Sequence, residues 1–417
     1  MTSRRLRIGY LVQQCHPEVG AGPARVGEMA GRWVAAGAEV TIITAMPNRP
    51  QGRIHPAYRG RLWAREDWQG ARILRSWLYA RPGGGLVTTL LNNATFATTA
   101  TLHALRRAGP LDVLIASSPP YFPLPAGLLL HWLWDVPLVL EVRDLWPEYL
   151  VDMGVLRGSL ARRAVLAADA ALLRRAQHVV TVTEPLRTAI RSKGVAEERV
   201  SLIPNGVDPG QYYPCTEPPP VPELARRDGK LVVGYLGNFG AGQALGVVLE
   251  AARRLADADS PVRFVLAGDG TEHTRIREHA ERIVLPNLTI LPAIPKEATR
   301  AFYANCDCCL VSLAPLPVFA GALPTKLFEI MACGRPVIAS AAGEVAVVLT
   351  QSGAGWSVQP GNPNALAEAI TRLAGMTAAE RAAMGAGGVG YVTERFHRGA
   401  LAERYLGLLE SVAEGRT

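Results

Sequence analysis

Lysine is almost missing from this chain. Of the 44 cationic side chains in its 417 residues, only Lys193, Lys230, Lys296 and Lys326 are lysine; the rest are arginine. Also missing is any run of ~20 uninterrupted apolar residues, which excludes a helix spanning a bilayer. The nearest approach, residues 124–140, is broken by His131 and Asp135. The basic start leads into an apolar stretch that stops at Gln13 and Gln14, too short for a signal peptide and read instead as a first strand. The six cysteines show no repeated spacing, so a reduced, cytoplasmic setting is expected. Helix-turn-helix, zinc-finger and RNP patterns are absent, and no nucleic-acid partner is expected. What is present is 49% hydrophobic and 19% charged, which excludes wholesale disorder. At ~100–200 residues per domain, the length suggests two or three domains.

The charge lies unevenly. Residues 1–215 hold 25 cations and 16 acids, a net +9, while residues 216–417 hold 19 and 20, a net −1. Seven arginines, at 53, 59, 61, 65, 72, 75 and 81, share one stretch with Glu66 and Asp67, interleaved with Trp63, Trp68, Trp77, Tyr58 and Tyr79. Such a stretch suits an anionic membrane or polyanion surface; the other reading is a solvated face in an arginine-biased composition.

Residues 7–12 read as a buried strand, followed by a glycine-bearing loop. A helix follows, with Val26, Met29, Ala30, Trp33 and Val34 at the spacing of one amphipathic face, and then a strand over 39–44. Further strands are expected at 113–116, 138–142, 179–182 and 201–203, with a helix over 161–176. Residues 204–230 carry too many prolines for a helix or central strand. Strands then resume at 231–236, 263–267, 288–291, 309–313 and 336–340. The expected fold class is α/β, two doubly wound Rossmann-like domains facing across a cleft. The first spans 1–203, a linker 204–230 and the second 231–395, with a C-terminal helix, 396–417, packing back on the first. A ligand is expected at the carboxyl ends of the strands.

Three motifs carry chemistry. Gly237-Asn238-Phe239-Gly240-Ala241-Gly242-Gln243 falls between a strand and a helix, where glycines let backbone N–H groups approach a phosphate. It lacks the full GxGxxG pattern, and glycine is common at such turns. Gly268-Asp269-Gly270, at another strand end, reads as a nucleotide contact or a tight turn. In residues 323–340, Thr325 is expected to cap a helix that Gly334 ends. Lys326 then opposes the helix dipole, a conflict that a bound anion would resolve. Glu329, on the same face among apolar neighbours, needs a partner such as paired ribose hydroxyls; the alternative is a surface pair with Lys326.

These segments, with Ile203-Pro204-Asn205-Gly206-Val207-Asp208, resemble the retaining glycosyltransferases of family 4, which have the GT-B fold. Four N-terminal segments are similar to its O-antigen and colanic-acid branch: 17–21, 47–53, Ser117-Ser118-Pro119-Pro120, and Glu141-Val142-Arg143-Asp144-Leu145-Trp146-Pro147-Glu148. The resemblance implies a nucleotide-sugar donor, often UDP-linked, in the C-terminal domain and the acceptor largely in the N-terminal one. It implies Lys326 on the diphosphate, Glu329 on the ribose, and Gly237, Asn238 and Gly240 along the donor phosphates, with Gly268 and Asp269 as further donor contacts. Gly20 and Gly22 would close from the other domain. It further implies transfer with retention, without a metal or other cofactor. Asp144 is a candidate to position the acceptor, with helix capping as the other reading, and His16 is a further catalytic candidate.

Three positions depart from the common pattern: Gly321 where a second Glu is usual, Arg143 where His is usual, and a donor loop without Arg or Lys. The cluster Cys306-Asp307-Cys308-Cys309 is expected to pack rather than bind metal. The expected protein is a cytoplasmic glycosyltransferase of polysaccharide biosynthesis, peripheral on the inner membrane face, with a lipid-linked glycan acceptor. A soluble small-molecule acceptor, a nucleotide-sugar epimerase and a non-catalytic nucleotide-sugar-binding protein are the alternatives.

Overall fold

The computed structural model describes residues 5–18, 20–49, 51–83, 85–152, 154–156, 158–224 and 229–415. Val19 and Pro50, within two of the motifs, and residues 225–228 of the expected linker lie outside the described residues. The chain divides into two compact units, Met1–Pro204 with Gly399–Thr417, and Asn205–Arg398.

The first unit runs β1 (Arg7–Leu11), α1 (Ala21–Ala35), β2 (Glu39–Ala45), β3 (Trp63–Trp68), β4 (Ala71–Ser76), α2 (Leu86–Arg107), β5 (Val113–Ser118), α3 (Pro123–Trp134), β6 (Leu138–Val142), α4 (Trp146–Asp152), α5 (Ser159–Arg175), β7 (His178–Thr181), α6 (Glu184–Ser192) and β8 (Val200–Leu202). Among the described residues its sheet has eight strands, ordered β3-β4-β2-β1-β5-β6-β7-β8. The strands read as short runs of Val, Ile and Leu because helices cover both faces. On one face α2, α3 and α5 supply Phe96, Leu124 and Leu173. On the other, α1 meets residues from 399 on: Trp33 stands edge-on to Tyr405 at 5.3 Å and donates its indole N–H to the Ala402 carbonyl.

The second unit runs β9 (Leu231–Leu236), α7 (Gly246–Asp257), β10 (Val262–Ala267), α8 (His273–Arg282), β11 (Leu288–Leu291), α9 (Thr299–Asn305), β12 (Cys308–Ser312), α10 (Thr325–Ala332), β13 (Val337–Ser340), α11 (Glu344–Ser352), β14 (Gly355–Val358), α12 (Pro363–Ala374) and α13 (Ala378–Arg395); α14 (Arg398–Ala413) then returns the chain to the first unit. Among the described residues its sheet has six parallel strands, ordered β11-β10-β9-β12-β13-β14. Both units are thus Rossmann-like. The strand order reverses between β1 and β5 in one and between β9 and β12 in the other, and ligands of such sheets bind beyond the carboxyl ends of the strands at those points.

The arginine-rich stretch differs from its surface reading. It folds as an antiparallel hairpin, β3 on β4, closed by the turn Gln69–Gly70. Alternation along the strands sends some of its residues inward. Arg75 is buried, ion-paired to Glu66 at 2.8 Å, and Trp63, Trp68, Trp77, Tyr58 and Tyr79 are half-buried. Arg53, Arg59, Arg61, Arg65 and Arg81 are the exposed ones. Cys306, Cys308 and Cys309 are buried in the core packing of the second unit.

Candidate active site

In the second unit, β9 ends at Leu236 and the chain turns at Gly237, whose φ is +146°. A Cβ there would lie 2.4 Å from the Lys326 ammonium, so glycine leaves the space that the cation fills. Lys326 is the second residue of α10, with its Nζ 4.0 Å from the Tyr235 ring centroid. Burial pushes this amine down to about 7, against the opposing pull of Glu329. Lys326 is half-buried, so it is not a freely solvated surface cation. Glu329, one turn on, is half-buried and accepts from the Tyr303 hydroxyl at 3.4 Å.

Thr325 is not the cap. Pro324 holds that position, since its backbone (φ −63°, ψ 134°) is already extended and its carbonyl accepts from Leu327 N–H. Thr325 is the first helical residue, and its Oγ1 is buried without a partner among the described residues. The helix N-terminus thus presents a hydroxyl, open backbone N–H groups and a lysine together.

The glycine loop after β9 is braced by its neighbour. Phe239 N–H donates to the Asp269 carbonyl at 2.9 Å, and Asp269 Oδ1 accepts from Gly270 N–H at 2.7 Å. A Cβ on buried Gly268 would lie 1.8 Å from the Gly237 carbonyl oxygen, so Gly268 supports the loop from beneath. Asn238 donates to Gln243 at 3.1 Å, and its carbonyl accepts from the Tyr235 hydroxyl at 2.8 Å. Gly237, Asn238, Gly240 and Lys326 are therefore brought into one loop-and-helix cluster.

In the first unit, His16 follows β1 and stacks on Trp68 at 4.8 Å. Partial burial and the Arg75 cation lower its pKa. Asp144 follows β6 and is exposed, while the protein beside it raises its carboxyl to about 6 against the pull of Arg143. Arg143 donates to the carbonyls of Ser118 and Pro119 at 3.2 and 3.1 Å and lies against Gly22. That gives the departure from His a physical role: a guanidinium ties the loops after β5 and β6 to the turn entering α1 at Gly20–Gly22.

Two networks behind these loops were not foreseen from sequence. Glu141 is wholly buried and accepts from Arg25 Nε at 2.9 Å, Tyr10 Oη at 2.8 Å and Ser117 Oγ at 2.7 Å. Burial pushes its carboxyl up, but Arg25, Arg143 and Ser117 outweigh that and hold it below the usual range. Arg25 also donates to the carbonyls of Ile203 and Pro204, each at 3.0 Å. In the second network Lys193 bridges Asp169 at 2.6 Å and Glu148 at 2.7 Å, beside a cavity of about 10 Å³ lined by Ser118, Asp144 and Tyr121. Glu141 and Glu148 lie in a motif already singled out, and Lys193 is one of four lysines; Tyr235 and Tyr303 carried no signal at all.

Two Rossmann-like units, the second with a glycine loop and a lysine at a helix N-terminus, define the GT-B class of glycosyltransferases. Residues 20–206 match the glycosyl transferase 4-like domain and residues 230–375 the glycosyl transferases group 1 domain, and the chain belongs to the glycosyltransferase family that joins them. It is 29% identical over 335 residues to the Escherichia coli (strain K12) protein named as a colanic acid biosynthesis glycosyl transferase, WcaI, across 78% of this chain and 81% of that one. In fold it is similar to sucrose-phosphate synthase from Thermosynechococcus elongatus, with TM-score 0.77 and 21% identity over 99% of this chain and 100% of that one. It is likewise similar to Anabaena HepE, solved in complex with UDP and glucose, with TM-score 0.69 and 20% identity over 98% and 100% of the two chains.

Proposed function

We propose that the protein transfers a sugar from a UDP-sugar, with retention of anomeric configuration, to a hydroxyl of a lipid-linked glycan precursor in polysaccharide biosynthesis. The observation that carries the donor half is the half-buried Lys326 ammonium at the N-terminus of α10, filling the space that Gly237 leaves. Negative charge grows on the leaving diphosphate in the transition state, and a fixed cation with open helix N–H groups stabilises it there more than in the ground state. Glu329 accepts from the ribose hydroxyls. The acceptor hydroxyl attacks the anomeric carbon from the face the diphosphate leaves, and a leaving phosphate oxygen takes its proton. Asp144 and His16 belong to the acceptor side, on the unit that carries the net positive charge. The UDP of HepE and the polysaccharide context of WcaI support this reading by likeness.

Lys326→Ala is expected to reduce transfer by ~10²–10³-fold and to remove the thermal shift that a UDP-sugar produces. Unchanged turnover in that variant would refute the donor site. An epimerase would convert the UDP-sugar with no acceptor present, and a binding protein would give the thermal shift without any turnover.

A further inference from the structure

The first unit carries a surface that neither its core nor its candidate site uses. Helix α2 is 22 residues long and has no charged residue before Arg106 and Arg107. A helix facing water ordinarily carries charge on its outer face. Here that face carries Leu86, Val87, Leu90 and Leu91 in the first turns and Leu102 and Leu105 in the last, with Val87 69% exposed. At 100° per residue these six fall within one half of the helix circumference, opposite the buried Phe96 and Ala100. Helix α3 packs into the same core beside it and repeats the pattern: Leu129, Trp132 and Leu133 are exposed at i, i+3 and i+4, Trp132 at 61%.

The charge around this face is mostly positive. From Trp68 to Asp135 there are two carboxylates: Asp112, held by Arg7 at 2.6 Å, and Asp135, exposed at the C-terminal end of α3. Arg106 and Arg107 are exposed at one end of α2. At the other end Gly52 lies against Arg81 and Pro82, which brings the loop bearing exposed Arg53 to the start of the helix. Among the described residues no carboxylate is paired with Arg53, Arg81, Arg106 or Arg107. The unit as a whole holds 27 cations against 18 acids, the other unit 17 against 18. Among the described residues no helix is long and apolar enough to cross a membrane.

We infer that the outer faces of α2 and α3 form a docking surface for an anionic lipid bilayer, the leucines and Trp132 entering the headgroup–acyl boundary and the flanking arginines meeting lipid phosphates. An uncharged helical face with a tryptophan and a mostly cationic rim has the chemistry of an interfacial helix, and the excess of arginine over acid favours an anionic lipid surface. The inference rests on the lipid-linked acceptor proposed above, since an enzyme lying on the bilayer meets that acceptor in two dimensions.

The test is flotation of the full chain with two vesicle types at low salt: pure phosphatidylcholine, and phosphatidylcholine with a quarter phosphatidylglycerol. The wild type is expected to float with the anionic vesicles and far less with the neutral ones. Leu90→Glu with Leu91→Glu is expected to lower that partition at least ~10-fold. These positions are exposed, so the melting temperature and the UDP-sugar thermal shift should be unchanged. Absence of wild-type flotation, or flotation of the double variant equal to wild type, overturns the inference. So does a dimer in light scattering that the double variant splits, for the face would then cover a second copy. If Lys326→Ala leaves the thermal shift intact, the donor reading fails while the flotation result stands on its own.

Discussion

Two lysines, one in each unit, are held in opposite ways. In the first unit, Arg25, Arg75 and Lys193 each meet a carboxylate at 2.6–2.9 Å. In the second, Lys326 rests on the Tyr235 ring, and burial outweighs the help of Glu329. A matched cation has its charge satisfied by the fold and works as scaffold. An under-matched cation leaves free energy for an anion that arrives later. The same residue type therefore stands in both settings: Lys193 braces a loop between two carboxylates, whereas Lys326 rests on an aromatic ring.

The largest effect should come from unmatching the scaffold. Arg25→Met leaves Glu141 buried without its principal partner and removes the donors to Ile203 and Pro204. Breaking a buried pair from one side costs ~3–5 kcal/mol, so urea unfolding should shift by about that amount. Glu141→Leu added to Arg25→Met should recover a large part of it. A loss within ~0.5 kcal/mol for Arg25→Met alone would remove the scaffold half of the comparison.

A second effect separates the two lysines by sign. Lys193→Met strands buried Asp169 and should destabilise by ~3 kcal/mol. Lys326→Met removes a half-buried cation from a helix N-terminus and should stabilise by up to ~1 kcal/mol while abolishing transfer. Opposite shifts in Tm, read side by side, sharpen the comparison; shifts of the same sign break it.

How much of this was legible beforehand follows from the range of the interactions. The strands at 138–142, 231–236 and 288–291 stand where their apolar runs placed them, and others differ by a residue or so at their ends. The Lys326 conflict was readable because a helix dipole is a local property. The hairpin β3–β4 was not, because a period-two pattern of arginine and tryptophan looks like a surface until a neighbouring strand covers one side. Likewise Glu141 and Arg25 are 116 positions apart, and nothing local to either names its partner. Asp144 shows the middle case: its motif was visible, but its raised pKa depends on what packs around it.

The smallest effect tests the comparison by pH alone. The folded pKa of Lys326 lies near 7, below its ordinary value of 10.5, so the free site loses its proton as pH rises through 7. In the unliganded protein this works in favour of stability at higher pH: the charged form is the costly one, so the penalty is full below pH 7 and is lifted progressively as pH rises from 7 toward 10.5. A bound diphosphate reverses the preference and holds the amine protonated. Donor binding should therefore take up about half a proton at pH 7 and weaken about fivefold between pH 7 and pH 8. Titration calorimetry with a UDP-sugar in buffers of different ionisation enthalpy measures both quantities. The interval lies above the Asp144 carboxyl at about 6, so that group contributes little to it. Lys326→Met should abolish the proton uptake and flatten the pH dependence of whatever binding remains. An affinity that does not change across this interval in the wild type would mean that Lys326 is as well matched as Lys193, and the contrast between the two units would vanish.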